Sequence, residues 1–110
     1  MTQRSDSLLR GTLDVMVLKS LDGGRRHGYA IARWLERGGG HVLRIEDGSL
    51  YPALYRMEKR GWIEAEWDIS ELNRQAKFYR LTQQGRRQLE LETERWLTFS
   101  AAVTRVLLPA

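Results

Sequence analysis

The first part of the chain alternates between helical apolar patterns and glycine-rich breaks. Between residues 7 and 21, apolar side chains recur at three- and four-residue steps, which predicts an amphipathic helix that ends at residues 22–24, Asp-Gly-Gly. A shorter pattern of the same period predicts a second helix over residues 28–37, ended by the three glycines at residues 38–40. Two successive helices are therefore expected before the middle of the chain.

A third helical pattern follows an extended linker at residues 41–46. It predicts a helix over residues 50–60, with Ser49 as the N-cap and Pro52 in the first turn, where the missing N–H has no helical partner to lose. Gly61 is expected to end this helix in a left-handed conformation. At about 100° per residue, its apolar side lies opposite an aromatic and basic side. The apolar side consists of Leu50, Ala53, Leu54 and Met57, and the opposite side of Pro52, Tyr55, Arg56 and Lys59.

Beyond Gly61 the apolar period shortens to two, which is the period of a β-strand. The pattern predicts one strand over residues 62–67 and, after a polar segment, a second strand over residues 76–81. The two strands form a β-hairpin with a basic tip. The side chains expected to face the core are Ile63, Ala65 and Trp67 in the first strand and Tyr79 and Leu81 in the second.

A long last helix is predicted from Thr82, a favourable N-cap, to Leu108. Its apolar residues fall on one stripe, at spacings close to those of the a and d positions of a coiled coil. Because no segment of so short a chain is left to cover this stripe, we expect it to pair two subunits, together with Leu9 of the first helix. The stripe consists of Leu89, Trp96, Phe99, Val103 and Val106.

The order of these elements is that of a winged helix-turn-helix followed by a C-terminal dimerisation helix, a fold that is mainly α with a small β-wing. We expect residues 1–82 to form a DNA-binding domain and residues 83–110 to form the dimerisation helix. A chain of 110 residues has room for one small core, so burial against a partner is favoured.

Composition argues against most other chemistry. The chain has no cysteine, and its two histidines, His27 and His41, lack metal-ligand spacing, so we expect no metal site and no cofactor. No serine has a plausible His and acid partner, and no phosphate-binding loop is present, so we expect no enzymatic activity. The longest apolar run has four residues, far short of the roughly 20 that span a bilayer, and we expect a cytoplasmic protein.

Charge adds the first functional indication. The net charge is +4 and the cations are fifteen arginines but only three lysines, a bias that suits bidentate contact with phosphate or base edges. The surplus can be assigned to residues 71–87, which hold five cations against Glu71 alone. A localised basic segment is typical of an element that follows a phosphate backbone.

The helix, wing and charge patterns together indicate a double-stranded DNA interface. On the third helix, tyrosine can contact a thymine methyl or a phosphate, arginine can read guanine, and lysine can contact phosphate. His27 either caps the second helix or touches a phosphate. The candidate DNA-binding residues are Ser49, Tyr51, Pro52, Tyr55, Arg56, Lys59, Asn73, Arg74, Lys77 and His27.

Several stretches resemble those of the PadR family of transcriptional regulators, and the resemblance spans nearly the whole chain. The short C-terminus with a single long helix is similar to the compact branch of that family. The resembling stretches are residues 9–14 (LRGTLD), 27–31 (HGYAI), 46–54 (EDGSLYPAL), 60–63 (RGWI) and 77–85 (KFYRLTQQG).

The resemblance implies a homodimeric repressor that binds a palindromic operator and is released by a small-molecule effector. It implies that Ser49, Tyr51 and Pro52 lie at the entrance of the recognition helix, and that Arg74 and Lys77 lie on the wing. It also implies that Trp96 occupies the place where compact members stack an aromatic residue on flat hydrophobic effectors. The packing pattern allows the alternative that Trp96 only fills the dimer seam.

Two other function classes stay open from the residues alone. A winged helix can recognise a protein partner without binding DNA, since the fold does not fix the function. An RNA-binding module would instead prefer single strands, with bases stacked on Tyr51 or Tyr55. Salt-dependent binding to duplex DNA distinguishes the DNA-binding interpretation from both.

Overall fold

The computed structural model describes the backbone of residues 2–109 and the side chains of residues 11–109. The side chain of Leu9, expected at the dimer interface, therefore lies outside the described residues. The elements in chain order are α1 (Thr2–Ser20), β1 (Arg26–His27), α2 (Gly28–Gly38), α3 (Asp47–Lys59), β2 (Ile63–Ile69), β3 (Gln75–Leu81) and α4 (Gln83–Leu107). This order confirms the predicted mainly helical winged helix-turn-helix with a long C-terminal helix.

The sheet has three strands in the order β1-β3-β2, all antiparallel. The hairpin of β2 and β3 was expected, but β1 was not, because two residues are too short to show an alternating pattern. Arg26 and His27 pair with Tyr79 and Phe78. Through β1, the wing is hydrogen-bonded to the start of α2.

One core lies where α1, α2 and α3 meet the base of the wing. All four predicted inner residues of α3 have no exposed surface, which confirms the assigned face of that helix. Burial of each of the three larger side chains, Leu50, Leu54 and Met57, contributes about 2 kcal/mol, so the inner face keeps the opposite face of α3 outward. The buried apolar residues are Leu13, Val17, Leu18, Leu21, Ile31, Ala32, Leu35, Leu50, Ala53, Leu54, Met57, Ile63, Tyr79, Leu81 and Leu89.

Helix α3 begins earlier than its sequence indicates. Its N-cap is Glu46, whose carbonyl accepts hydrogen bonds from the backbone N–H groups of Ser49 and Leu50 at 3.0 and 2.9 Å. The prediction of Ser49 as N-cap was therefore wrong, and Pro52 lies inside the helix rather than in its first turn. Pro52 has no N–H to donate to the carbonyl of Gly48, but Gly48 is exposed, so water can satisfy that carbonyl.

The predicted left-handed end of α3 is confirmed. Gly61 has φ +78°, and the N–H groups of Gly61 and Trp62 donate to the carbonyls of Glu58 and Met57, each at 3.0 Å. This pair of bonds is a Schellman motif, which turns the chain sharply from α3 into β2. Helix α3 and strand β2 of the wing are thus joined by a short, tight turn.

Helix α4 starts at Thr82, as predicted, and the Thr82 side chain accepts a hydrogen bond from the N–H of Gly85 at 3.0 Å. Of the predicted apolar stripe, Leu89 is only 7% exposed and belongs to the core of the single chain. The expectation that the stripe has no partner within the chain was therefore wrong for its first member, because α4 packs on α1 there. The other members are exposed: Trp96, Phe99, Val103 and Val106.

Candidate nucleic-acid interface

The outer face of α3 carries a group of exposed side chains, because the buried inner face fixes the orientation of the helix. Tyr51, Pro52, Tyr55 and Lys59 are all exposed, and the Lys59 ammonium lies over the Tyr55 ring at 5.4 Å from its centroid. Ser49 lies in the first turn of the same helix and is half-buried. An aromatic and cationic helix face of this kind can contact bases, sugars and phosphates in a major groove.

Tyr51 is positioned by the glycine that begins α2. A Cβ on Gly28 would lie 2.5 Å from the Tyr51 hydroxyl, so the missing side chain lets the tyrosine ring cover the start of α2. Partial burial, and to a smaller extent the negative charge of Asp47, raise the pKa of Tyr51 above its ordinary value. The hydroxyl therefore stays protonated at neutral pH and remains a hydrogen-bond donor.

Arg56 does not lie free on the outer face of α3. Its guanidinium donates a hydrogen bond to the carboxylate of Asp14 on α1 at 2.8 Å, and the two side chains are 28% and 15% exposed. Burial raises the pKa of Asp14 above its ordinary value, while the charge and hydrogen bond of Arg56 oppose that rise. Arg56 therefore joins α3 to α1 through this ion pair, which competes with the predicted reading of guanine.

Lys77 is also paired within the chain. Its ammonium lies 3.3 Å from the carboxylate of Glu58 on α3 and 5.6 Å from the centroid of the Tyr79 ring. Lys77, which was expected to contact phosphate from the wing, forms an ion pair that joins the wing to α3. Its pairing with Glu58 reduces the positive charge that this position offers to DNA.

His27 caps α2, one of the two roles that its position allowed. Its Nδ1 accepts the N–H of Ala30 at 3.2 Å, its Nε2 lies 3.5 Å from the Glu71 carboxylate, and the residue is only 8% exposed. Hydrogen bonding to the Glu71 backbone, followed by the bond to His27, lowers the pKa of the Glu71 carboxyl. With both nitrogens engaged and little exposed surface, His27 is a poor candidate for phosphate contact.

The wing tip is a tight turn from Ser70 to Arg74. The N–H of Asn73 donates to the carbonyl of Ser70 at 2.9 Å, and Asn73 has φ +59°, a left-handed conformation that asparagine tolerates. Asn73 therefore shapes the turn. Arg74 is exposed and forms no ion pair with the residues that the structure describes, so it is the cation that the wing tip presents to solvent.

The basic segment at residues 71–87 is largely neutralised by acids from other elements. Arg80 pairs with Glu64 at 2.9 Å and Arg86 pairs with Asp22 at 2.9 Å, in addition to the bond between Lys77 and Glu58. Within the described part of the chain, Arg74 and Arg87 are the cations of this segment without an ion pair. The local charge surplus is consequently smaller than the sequence indicates.

Two exposed aromatic residues beside this surface were not predicted as contacts. Tyr29, expected along the packed pattern of α2, is 60% exposed. Trp67 was expected to face the core, and this was wrong, because it is 66% exposed. Both line a cleft of about 660 Å³ between the inner face of the wing and the starts of α2 and α3. The alternation in β2 correctly placed Trp67 on the face of Ile63, but it carries no information on where the core ends.

Trp96 lies between two concave surfaces formed by α1 and α4. The larger has a volume of about 650 Å³ and the smaller about 240 Å³, and Trp96 and Val15 line both. The Trp96 ring is 43% exposed and lies 6.3 Å, centroid to centroid, from the Phe99 ring. This arrangement offers a flat apolar surface either to a ligand or to a second subunit.

Among the described residues, no group of three acidic, histidine or cysteine side chains is placed to hold a metal ion. The same part of the chain has no helix that is both long and apolar enough to cross a membrane.

A three-helix unit with an exposed aromatic and basic third helix, flanked by a β-wing, defines a winged-helix DNA-binding protein. The model of the PadR-like family of transcriptional regulators matches residues 17–91. An uncharacterized protein of Lysinibacillus sphaericus is 32% identical over 94 residues, which are 84% of each chain.

Two solved structures are similar over nearly the whole chain. A PadR-like transcriptional regulator from Bacillus cereus is 30% identical with a TM-score of 0.78, covering 94% of this chain and 99% of its own. A PadR family transcriptional regulator from Eggerthella lenta is 31% identical with a TM-score of 0.77, covering 99% of this chain and 93% of its own. The chain belongs to the PadR-like family, whose members are DNA-binding transcriptional regulators and not enzymes.

Proposed function

We propose that this PadR-like regulator is a homodimeric repressor that binds a palindromic operator in double-stranded DNA and is released by a small, flat hydrophobic effector. The exposed outer face of α3 is the observation that carries the proposal, because Tyr55 and Lys59 contact each other there and are both exposed to solvent. Because the work of such a repressor is done on chromosomal DNA, we also propose a cytoplasmic location.

In the proposed complex, α3 enters the major groove with Tyr51, Tyr55 and Lys59 toward the DNA. Lys59 contacts a phosphate, and Tyr55 contacts a thymine methyl or donates to a phosphate. Ser49 and Pro52 lie at the entrance of the groove, and Arg74 reaches the neighbouring backbone from the wing. Arg56 and Lys77 act indirectly, because their ion pairs set the position of α3 against α1 and the wing.

Residues 1–82 are proposed to supply the DNA contacts and residues 83–110 the dimer contacts. The exposed stripe of α4, from Trp96 to Val106, supports this division, since adjacent apolar side chains on one helix face are normally covered by a partner. In a twofold dimer the two α3 helices would read half-sites about 34 Å apart on one side of the duplex.

The proposed effector site is the larger concave surface between α1 and α4. Its apolar lining and the exposed face of Trp96 suit a flat hydrophobic molecule, which would gain affinity by stacking on the indole. Because α4 also carries the proposed dimer stripe, a ligand bound there would change how the two subunits are held. We propose that this change in the arrangement of the two subunits releases the protein from DNA.

Selection of bound duplexes from a random-sequence pool tests the proposal. We expect an enriched site with twofold symmetry, and we expect its recovery to fall when candidate flat hydrophobic ligands are added. The control is a pool of single strands of the same composition, which separates DNA duplex binding from a preference for unpaired bases. Failure to retain any duplex at low salt would contradict the proposal and favour a winged helix that recognises a protein partner.

A further inference from the structure

The inner face of β2 runs from the core into solvent without becoming polar. Ile63, Ala65, Trp67 and Ile69 alternate along this face of β2, and exposure rises from 1% at Ile63 to 66% at Trp67 and 51% at Ile69. Leu72, in the turn at the wing tip, is also 66% exposed. The described part of the chain leaves these apolar side chains uncovered.

Tyrosines form the opposite wall of the cleft that Trp67 and Leu72 line. Tyr29 and Tyr51 project from the starts of α2 and α3, and the Tyr51 ring lies against Gly28, where a Cβ would be only 2.5 Å from its hydroxyl. Aromatic side chains therefore lie on both sides of the cleft, which encloses about 660 Å³.

The charge of the cleft favours an anionic occupant. Its lining includes the exposed cation Arg74 and the partly neutralised Lys77, and none of the acidic residues that the structure describes lines it. Glu71, which lies between two lining residues in sequence, points toward His27 Nε2 at 3.5 Å. An apolar peptide would leave Arg74 without a counter-charge, whereas a phosphodiester backbone supplies one.

We propose that this cleft holds the deoxyribose-phosphate backbone of duplex DNA, with Trp67 and Leu72 packed on sugar faces and Arg74 on a phosphate. The inference rests on the proposed function, because the cleft continues the outer face of α3 through Tyr51, which belongs to both. Apolar side chains at such positions add affinity by removing sugar surface from water, independently of base sequence. The wing then contributes an apolar contact in addition to a cationic one.

The apolar and ionic contributions are separable by their dependence on salt. We expect Trp67→Ala to weaken duplex binding about tenfold while leaving the slope of log affinity against log salt unchanged, because no phosphate contact is lost. Arg74→Ala should instead reduce that slope by about two, because each subunit of the proposed dimer loses one phosphate contact. The loss at Trp67 should be equal on a selected duplex and on a mixed-sequence duplex of the same length, since sugars carry no sequence information.

Val42→Ala is the matched control, because Val42 is an apolar residue that is 84% exposed in the loop between α2 and α3 and does not line the cleft. Trp67→Phe, which keeps an aromatic face, should bind within about threefold of the unmodified protein. Subtracting the tryptophan emission of Trp67→Phe from that of the unmodified protein gives the emission of Trp67. This emission should change when the mixed-sequence duplex is added, because the Trp67 ring loses contact with water.

The contact of the cleft with DNA and the proposed function can be disproved by different results. If the unmodified protein binds duplex with a normal salt slope but Trp67→Ala binds as tightly, the regulator assignment stands and the cleft contact is wrong. A loss seen on the selected duplex alone would overturn the backbone assignment in favour of base contact. Capture of an apolar peptide by the cleft, with duplex affinity unchanged in Trp67→Ala, would assign the cleft to a protein partner.

Discussion

At the scale of single residues, Gly85 is the described glycine at which an added side chain would meet the closest contact. A Cβ at Gly85 would lie 1.8 Å from the carbonyl oxygen of Trp62 and 2.7 Å from its carbonyl carbon. Thr82, the N-cap of α4, also contacts the turn that ends α3, because its hydroxyl donates to the carbonyl of Gly61 at 2.6 Å. The start of α4 is thereby packed directly on the turn that ends α3.

Gly85→Ala should therefore lower the free energy of unfolding by about 3 kcal/mol or more, because backbone atoms on both sides must move apart. Urea denaturation at a fixed protein concentration measures the change. The control is Gly38→Ala, since a Cβ there meets nothing within 4 Å. That variant should be neutral or more stable by up to about 1 kcal/mol, and an equal loss in both variants would contradict the proposed clash.

Single residues also show which side-chain contacts could not be predicted from the sequence. The direction of a long charged side chain depends on partners that are distant in sequence. Arg56 meets Asp14, and Lys77 meets Glu58. Both were expected to face DNA because their backbone positions allow it, but the acids that hold them are contributed by other elements. Ser49 was misplaced for a local reason, since Glu46 begins the helix without a side-chain cap that the sequence could reveal.

At the scale of elements, the ion pair of Asp14 and Arg56 fixes α3 against α1. The carboxyl of Asp14 has a raised pKa, so the folded protein holds its proton more tightly than the unfolded chain does. Stability from this group is present at low pH and declines as pH rises from the ordinary value of 3.8 through the raised pKa. Arg56 limits that decline by favouring the charged carboxylate.

Arg56→Met should therefore cost on the order of 2 kcal/mol at neutral pH, because it leaves a mostly buried carboxylate without its cation. Part of the loss should be recovered in mildly acidic buffer, where Asp14 takes up a proton. Thermal unfolding of Arg56→Met, Asp14→Asn and the double variant measures the coupling, and the double variant should regain most of the stability. Equal losses at both pH values would show that Asp14 is not the group responsible.

The same double variant tests the role assigned to Arg56 in DNA binding. With its fold restored, it should bind the selected duplex with the sequence preference of the unmodified protein. A preference that changes at one base position would return Arg56 to the role of a base-reading residue.

Elements with a strong local pattern were predictable from the sequence, and elements that depend on tertiary pairing were not. The glycines that end α2 and α3, the cap at Thr82 and the inner face of α3 are local features. Strand β1 exists only because its two residues pair with β3. The charge surplus of residues 71–87 likewise required the fold, since the acids that offset it come from α3, β2 and the turn after α1.

At the scale of the whole molecule, the exposed stripe of α4 predicts assembly. Val103 is 38% exposed and Phe99 is 55% exposed on the same side of the helix. Val103→Glu should convert a dimer to a monomer at micromolar concentration, because a carboxylate would be buried in an apolar interface. Sedimentation equilibrium measures the change, and duplex affinity should fall with it.

Thr98→Glu is the matched control, because it adds the same charge to an exposed position of α4 outside the stripe. It should leave the dimer intact. A Val103→Glu protein that stays dimeric would contradict the assignment of this stripe to the subunit interface.

The most direct test of the central claim is titration of the selected duplex with the unmodified protein and with the Tyr55→Ala, Lys59→Ala double variant over a series of salt concentrations. The control is Lys19→Ala, which removes a cation from the larger concave surface between α1 and α4 and not from the outer face of α3. We expect the double variant to lose at least about tenfold in affinity and about two units of salt slope, one for Lys59 of each subunit, with the control unchanged. A double variant that matches the unmodified protein in both affinity and slope would contradict the claim that the outer face of α3 contacts DNA.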